Sequence, residues 1–394
     1  MFKVWNIIDC ALTGTGTGHH YWEMKALTDE LARRGTEARI FCHKTTSRDR
    51  FPNAQVFPIF SLFPYSGVSQ DPTWSAIENF IVHNRSFDYD LSRTDQLLFR
   101  DSLALIPMLS ERQLLGTVRW LGRFNDHARP KVAVLLSGLH DGSPTAASAQ
   151  LYERVWRDCA PALKDGIALC VRTSREADFV QQLLGTRTHV LPSPLGPPEQ
   201  RNTLAGNPAL PSQMTVSFVG NARREKGWAL LPDVVKHCSS LDIRFFIQAK
   251  PDTSVVSDIS LLTALRHLPN VQICETALTR EDYHDLIANS VVLLPYDPVA
   301  YRWRHSGIYT EAKCLGAPVI VSAGTWMAED VKSCGNGLVF EDYSAGAVAG
   351  SIARAQRELS ILRARAANCA KDFRKQQGPD RYVDTINALF VHGA

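Results

Sequence analysis

The chain has 394 residues, of which 45% are hydrophobic and 21% charged, and its formal net charge at neutral pH is +3. The composition is that of a globular protein, and the length favours two domains because single cores stop growing at roughly 250–300 residues. The weak positive charge is spread along the chain, which excludes a dedicated nucleic-acid binder because such proteins carry a basic stripe or patch.

No segment approaches the run of about 20 apolar residues that spans a bilayer. No signal-peptide cleavage site follows the first apolar stretch. Nine cysteines are scattered singly, and none forms a C-x-x-C pair. We therefore expect a cytoplasmic protein in which each cysteine is a small buried hydrophobic residue.

Short apolar runs alternate with helical stretches along the first half. Between the first two runs, apolar side chains at helical spacing from His20 to Leu31, followed by Gly35, predict a helix with a glycine C-cap. Strand, glycine loop, helix and strand form a βαβ unit, which builds parallel sheets. The predicted strands are Val4–Asp9, Ala38–His43, Val56–Phe60, Leu97–Phe99, Val132–Leu136, Leu169–Arg172 and Thr188–Leu191.

A stretch rich in proline, glycine and polar residues, 196–212, predicts a linker. The alternation resumes after it, and the end of the chain, from Ala345 to about Leu389, predicts helices. We expect an α/β protein with two doubly wound, Rossmann-like domains, 1–195 (completed by a C-terminal helix in 375–394) and 213–374. A ligand is expected in a cleft between them. The strands predicted in the second half are Thr215–Val219, Ile243–Gln248, Val271–Cys274, Val291–Pro295, Pro318–Ser322 and Leu338–Phe340.

The segment VSFVGNARREKG, 216–227, places cations after a predicted strand. The strand ends at Gly220, and Arg223, Arg224 and Lys226 lie in the loop before a predicted helix. Cationic side chains beside a helix N-terminus form an anion site, because the helix dipole and the side chains attract the same ligand. The same pattern also fits a solvated basic turn.

The segment YRWRHSGIYTEAKCLGAPVIVS, 301–322, follows another predicted strand. Ser306 is placed to cap a short helix that Gly316 ends, and the N–H groups of Gly307 and Ile308 would face a bound diphosphate. Glu311, one turn further on, can accept hydrogen bonds from both hydroxyls of a ribose. Alternatively, Glu311 serves only as a partner of the helix dipole.

Together the two segments resemble the donor domain of the GT-B glycosyltransferases, in particular the large retaining family 4 (glycosyl transferases group 1). In that family the first segment is typically V-G-R-x-x-x-x-K-G and the second E-x-F-G-x-x-x-x-E-A-x-x-x-G-x-P-V-I. The resemblance implies a GT-B fold with two Rossmann-like domains that face a central cleft. It also implies that Lys226 binds the donor diphosphate and Glu311 the ribose.

Two positions depart from the family pattern. Asn221 stands at the position of the family's arginine, so that Arg223 or Arg224 would supply this charge from a shifted place. Trp303 stands at the position of the first glutamate, which in many members contacts the transferred sugar. Three neighbouring side chains, those of Arg302, Arg304 and His305, could hold the diphosphate or an acidic sugar. Of these, Arg304 is the expected donor contact.

Further candidate residues occur in the first half of the chain. In the GT-B enzymes that the chain resembles, a glycine-rich loop after the first strand approaches the donor phosphates, and Gly16 and Gly18 in TGTGHH would allow this because they lack side chains. Members of the resembled family often place a histidine near the sugar after the fifth strand, so the resemblance makes His140 the candidate catalytic residue. A simple Asp141-Gly142 turn also explains this sequence.

Three other patterns are ambiguous or structural. His20 is expected to pack in the core, whereas His19 fits a structural and a functional role equally well. Asp88-Tyr89-Asp90 resembles a metal-binding D-x-D motif, but we interpret it as part of a polar loop. The basic amphipathic helix Glu111–Phe124 is expected to pack in the protein, and peripheral membrane contact at the inner membrane face stays open as the alternative.

The resemblance implies transfer of a sugar from a nucleotide sugar, such as a UDP- or GDP-sugar, to a hydroxyl with retention. Lys226, Arg224 and the Ser306 helix start would stabilise the leaving diphosphate, so that we expect neither a metal nor a cofactor. The acceptor would be a sugar, a lipid-linked molecule or a small molecule, and base contacts are expected around Glu275–Leu278. An inactive nucleotide-sugar-binding or scaffold protein, or a nucleotide-sugar epimerase, remains the alternative.

Overall fold

The alternating apolar and helical segments form two parallel sheets covered by helices. The structure is a computed structural model that describes residues 2–14, 19–67, 75–138, 146–195, 213–248 and 259–391. The chain divides into two compact units. Unit 1 comprises Met1–Gly196 with Gln377–Ala394, and unit 2 comprises Pro197–Gln376. The predicted linker and the candidates Gly16, Gly18 and His140 lie outside the described residues.

Unit 1 contains a seven-stranded parallel sheet in the order β3-β2-β1-β4-β5-β6-β7. Its strands are β1 (Val4–Asp9), β2 (Glu37–His43), β3 (Gln55–Phe60), β4 (Leu103–Leu109), β5 (Lys131–Leu136), β6 (Ile167–Val171) and β7 (Thr188–Val190). Its helices are α1 (His19–Arg33), α2 (Ser75–Ser92), α3 (Glu111–Leu121), α4 (Ala147–Asp158), α5 (Pro161–Lys164), α6 (Ser174–Leu184) and α14 (Pro379–Val391).

Successive strand side chains point to opposite faces of this sheet, and both faces are buried. On one face, Ile7 packs in a cluster with Leu27 of α1 and Tyr382 of α14. On the other face, Ile8 joins a second cluster that includes Trp120 of α3. The last helix of the chain thus belongs to the core of unit 1.

The fourth predicted strand is wrong. Leu97–Phe99 lie in a 3-10 helix, Gln96–Phe99, whereas the fully buried β4 (Leu103–Leu109) pairs with β1 and β5. Pro107 obscures this strand in the sequence, since proline lacks a ladder donor and is disfavoured in central strands. The β4–β5 register shifts between Ile106 and Leu109, so that a local irregularity accommodates the proline.

The interpretation of Asp88-Tyr89-Asp90 as a loop is also wrong, since these residues lie in α2. Asp88 forms an ion pair with Arg123 after α3, and Asp90 accepts hydrogen bonds from the backbone N–H and hydroxyl of Ser61. Helix α3 packs closely on α2. A Cβ at Gly116 would lie only 2.7 Å from the carbonyl oxygen of Asn84, so that a glycine is needed at this contact. Both carboxylates therefore have structural partners within unit 1.

Unit 2 contains a six-stranded parallel sheet in the order β10-β9-β8-β11-β12-β13. Its strands are β8 (Met214–Phe218), β9 (Ile243–Gln248), β10 (Val271–Cys274), β11 (Val291–Leu294), β12 (Val319–Ser322) and β13 (Gly337–Phe340). Its helices are α7 (Leu231–His237), α8 (Ile259–Arg266), α9 (Arg280–Ala288), α10 (Gly307–Leu315), α11 (Trp326–Cys334), α12 (Ala345–Arg357) and α13 (Leu359–Arg374).

The two parallel α/β sheets confirm the predicted fold class. The expectation that every cysteine is a buried free thiol is wrong for Cys334 and Cys369, which form a disulfide across 35 residues. They lie on separate helices, and such a long-range pairing leaves no local spacing signal. Among the helices that the structure describes, none combines the length and apolar character needed to cross a membrane.

Candidate functional site

The strand order of unit 2 brings the two motif segments together. β8 pairs with both β9 and β11, so the order of the sheet reverses between β8 and β11. Ligands of open α/β sheets bind at such switch points, beyond the carboxyl ends of the strands. The segment that contains Lys226 follows β8, and the segment that leads to α10 follows β11. Parallel pairing of these strands therefore places both segments at one edge of the sheet.

Two glycines shape the turn after β8. Gly220 has φ +100° and donates its N–H to Gln248 Oε1 at the end of β9 over 3.0 Å. Gly227 ends a 3-10 turn, Arg224–Lys226, with φ +78°. A Cβ at Gly227 would lie only 2.1 Å from the carbonyl oxygen of Pro295 after β11. A residue without a side chain is thus required for the two loops to pack together.

The ammonium group of Lys226 reaches the start of α10. A Cβ at Gly220 would lie 3.0 Å from Lys226 Nζ and 2.9 Å from Ile308 Cδ1, so that the two predicted site residues Lys226 and Ile308 are neighbours. Burial first, and then the positive charges of Arg223 and Arg304, lower the pKa of Lys226 to about 8. Burial contributes most to this shift, and the two arginines add to it because they lie close enough to Lys226 to act on its charge.

Two arginines share one nearby carboxylate, that of Glu225. Glu225 Oε1 lies 3.9 Å from Arg223 Nη1 and 3.6 Å from Arg304 Nη1. The Arg304 guanidinium also lies 5.2 Å from the ring centroid of Tyr301. Arg224, in contrast, is exposed at the surface. The geometry thus groups Arg223 and Arg304 with Lys226, and the predicted role of Arg224 stays a prediction.

Helix α10 begins as the sequence predicts. The Ser306 hydroxyl accepts the N–H of Tyr309 over 3.2 Å, and the Ser306 carbonyl accepts the N–H of Thr310 over 3.1 Å. The earlier N–H groups, of Gly307 and Ile308, have no acceptor within the helix because no preceding turn exists. They are oriented out of the helix start, where the dipole favours an anion.

Glu311 lies half-buried on the first turns of α10. Its Oε2 accepts the phenol hydroxyl of Tyr283, on α9, over 2.7 Å. Burial, and then the charge of Glu311, raise the pKa of Tyr283 well above its ordinary value. The phenol therefore stays a hydrogen-bond donor and orients a carboxylate that can accept further hydrogen bonds. Tyr283 gives no recognisable signal in the sequence.

The loop before α10 is held by α11, which the sequence did not indicate. The indole N–H of Trp326 donates to the carbonyl oxygen of Arg304 over 2.7 Å, and its ring stacks on His305 at 5.9 Å. His305 Nε2 lies 2.8 Å from Thr310 Oγ1. His305 thus has structural partners in α10 and α11, and its expected part in donor binding stays a prediction. The half-buried Trp303 occupies the position of the family's first glutamate.

A polar pair in unit 1 was also not anticipated. Asp9, fully buried at the end of β1, accepts the N–H of Ala11 and lies 3.0 Å from His20 Nδ1. Burial by itself lowers the pKa of His20, but the charge and hydrogen bond of Asp9 outweigh burial and raise the pKa overall. The prediction that His20 packs in the core therefore missed its polar role, since His20 forms a charge-assisted pair with the buried Asp9. An aspartate that ends a strand, followed by a histidine at the next helix start, was the available signal.

The two parallel α/β units define the GT-B fold. The chain is similar to sucrose-phosphate synthase from Thermosynechococcus elongatus, with a TM-score of 0.69, 14% identity and coverage of 98% of both chains. It is also similar to a trehalose-6-phosphate protein from E. coli bound with UDP-2-fluoro glucose, with a TM-score of 0.68, 13% identity and 98% coverage of both chains.

A third similar structure is HepE of Anabaena in complex with UDP-glucose, with a TM-score of 0.62 and 13% identity. The similarity covers 98% of this chain and 99% of that one. No protein-family model and no curated protein matches the chain. The structural similarity establishes the fold, while the sequence identity is too low to transfer a function.

Proposed function

We propose that the protein is a glycosyltransferase that moves a sugar from a nucleoside-diphosphate sugar to an acceptor hydroxyl. One observation carries the proposal. The Lys226 ammonium lies beside Ile308 at the start of α10, and the charges of Arg223 and Arg304 add to the effect of burial in lowering its pKa to about 8. Three cations and a helix N-terminus fit a ligand with several negative charges, such as a diphosphate.

The proposed donor spans this site in a definite direction. The diphosphate accepts hydrogen bonds from the N–H groups of Gly307 and Ile308 and pairs with the ammonium group of Lys226. The ribose hydroxyls donate to Glu311, which Tyr283 already orients. Complexes of similar structures with UDP-glucose and with UDP-2-fluoro glucose support this class of donor.

In the proposed reaction the bond between the sugar and the diphosphate breaks, and the acceptor oxygen bonds to the same carbon. The acceptor hydroxyl gives its proton to the leaving diphosphate. The negative charge that develops on the diphosphate is stabilised by groups already in place, which is often the largest catalytic contribution. We propose that transfer retains the configuration, as the resemblance to the retaining family implies. We also propose that it needs no metal, since Lys226, the arginines and the helix start compensate this charge. A chelator such as EDTA should then leave the rate of transfer unchanged.

The experiment that tests the proposal begins with binding. Purified protein is titrated calorimetrically with UDP, GDP and a panel of nucleotide sugars, and sugar transfer and donor hydrolysis are measured with the best ligand. Lys226→Ala should weaken nucleotide affinity at least tenfold. Lys236→Ala, at an exposed α7 lysine paired with Asp233, is the matched control and should leave affinity unchanged.

Different results separate the alternatives. If no nucleotide or nucleotide sugar binds, or if Lys226→Ala binds as tightly as the unmodified protein, the assignment is wrong. Tight binding without transfer or hydrolysis would instead identify a nucleotide-sugar-binding protein. The presence of Trp303 in place of the family's first glutamate is the specific reason to make this second measurement.

A further inference from the structure

Two cysteines of unit 2 join helices that are distant in sequence. Cys334, the last residue of α11, and Cys369, in α13, form a disulfide with their Cα atoms 6.0 Å apart. Both are half-buried, so that small reductants and oxidants can reach them. All nine cysteines lie in the described part of the chain, and the other seven are free thiols.

The two linked helices both hold α10, whose N-terminus forms the proposed diphosphate site. On the α11 side, Asp330 accepts the phenol of Tyr309 and the ammonium of Lys313, the latter over 2.7 and 3.0 Å. Helix α10 is therefore tied to α11 by a charged network in which both donors come from α10.

Helix α10 also contacts α13. The guanidinium of Arg374 donates to the carbonyl oxygen of Cys314, and the Lys313 ammonium lies 4.4 Å from the ring centroid of Phe373. At Gly316, which ends α10, an added Cβ would lie 3.3 Å from the Cα of Ala367. The helices α10, α11 and α13 thus form a triangle, and the disulfide closes its third side.

The triangle is connected to the site loop through the first residue of α11. The Trp326 indole holds the carbonyl of Arg304 and stacks on His305. Any change in the position of α11 relative to α10 therefore acts on the loop that carries Arg304. The opposite end of the same nine-residue helix carries Cys334.

We propose that Cys334 and Cys369 form a redox-reversible tether that stabilises the Arg304 loop and the start of α10. In the oxidised state the bond restrains α11 against α13, and in the reduced state α11 is held by its noncovalent contacts alone. Both cysteines are half-buried, so that small thiols can reach the bond, and accessible disulfides are the more easily reduced ones. The consequence for nucleotide binding rests on the proposed function.

The chemistry of the tether is thiol–disulfide exchange with a small disulfide such as oxidised glutathione. One cysteine thiolate attacks a sulfur of oxidised glutathione and releases one glutathione thiolate. The second cysteine thiolate then attacks the mixed disulfide, forms the Cys334–Cys369 bond and releases the second glutathione. The two cysteine thiols lose two protons and two electrons, and oxidised glutathione gains them.

The test compares protein equilibrated with oxidised glutathione and protein reduced with dithiothreitol. Thiol titration after denaturation should find seven thiols in the oxidised protein and nine in the reduced one. Without any ligand, amide hydrogen exchange in the segment 301–315 should be at least threefold faster after reduction. Affinity for UDP should fall at least threefold in parallel.

Variants exclude other cysteines. Cys334→Ser and Cys369→Ser should show the reduced exchange rates under both conditions. Cys274→Ser removes the remaining half-buried thiol and should keep the full difference between oxidised and reduced protein. This control distinguishes the tether from glutathione bound at an accessible cysteine.

Two results would overturn the tether. One is nine thiols in the oxidised protein, and the other is equal exchange in 301–315 in both states. These measurements need no nucleotide. Failure of UDP to bind in either state would therefore contradict the proposed function, while the exchange data would still decide on the tether.

Discussion

The side chain of Lys226 folds back over Gly220, and a Cβ at position 220 would lie 3.0 Å from the lysine nitrogen. The same Cβ would lie 2.9 Å from Ile308, at the start of α10. The contact joins the turn after β8 to the helix after β11, and it explains why a glycine precedes the cationic segment.

The first prediction concerns this glycine. Gly220→Ala places a methyl group against the lysine nitrogen at φ +100°, where a side chain costs about 1–3 kcal/mol. We expect a lower thermal midpoint and at least tenfold weaker nucleotide binding. Gly346→Ala, in the first turn of α12 where a Cβ meets open space, is the control and should neither lower the thermal midpoint nor weaken binding. Normal affinity in Gly220→Ala would show that the Lys226 position does not depend on Gly220.

A second prediction uses the pKa of Lys226, which burial and the neighbouring arginines lower to about 8. Only the protonated amine attracts a diphosphate, so UDP affinity should be constant below pH 8 and fall up to tenfold per unit above it. Calorimetry between pH 6.5 and 9.5 measures this. In Lys226→Arg the break near pH 8 should vanish, because arginine stays charged throughout. An unmodified protein with no break in this range would contradict the assignment of Lys226.

A third prediction isolates the role of Glu311. Glu311→Gln should weaken binding of UDP about tenfold but leave binding of 2′,3′-dideoxy-UDP unchanged, because only the former offers ribose hydroxyls to the carboxylate. Tyr283→Phe removes the hydrogen bond that orients Glu311 and should have a smaller effect of the same kind. Equal losses for both nucleotides would indicate that Glu311 only supports the helix.

A fourth prediction concerns the Asp9–His20 pair of unit 1. The folded pKa of His20 is raised above its unfolded value because the charge and hydrogen bond of Asp9 outweigh burial. The folded state therefore binds the proton more tightly. The resulting stability should be fully present below the unfolded pKa, near 6.5, and be lost as the pH rises through the folded pKa.

Urea unfolding between pH 5 and 9 measures this dependence. His20→Gln should flatten it, while Asp9→Asn should flatten it and also lower the free energy of unfolding by about 1–3 kcal/mol, since a buried charged acceptor is lost. Lys25→Gln is the matched control on α1, because its partner Asp29 is only partly buried, and it should keep the pH dependence. A profile that stays unchanged in His20→Gln would exclude His20 as its source.

Several elements were predictable because their signals are local. The bounds of β1, β9 and β10 agree with the predicted strands, since each is a short apolar run between polar or glycine-rich segments. The cap at Ser306 and the stop at Gly316 were likewise visible, because capping uses residues within one turn. In contrast, β4 was missed because Pro107 interrupts its pattern, although its burial between β1 and β5 determines its conformation.

The sequence by itself thus determined two α/β halves and two motif segments, each placed after a strand. Only the tertiary structure decided that β8 pairs with β11, which brings Lys226 to Ile308. It also decided which arginine joins the cluster, and that Cys334 meets Cys369. The physical reason is that periodicity and capping act over a few residues, whereas strand order and helix packing depend on the free energy of the whole core.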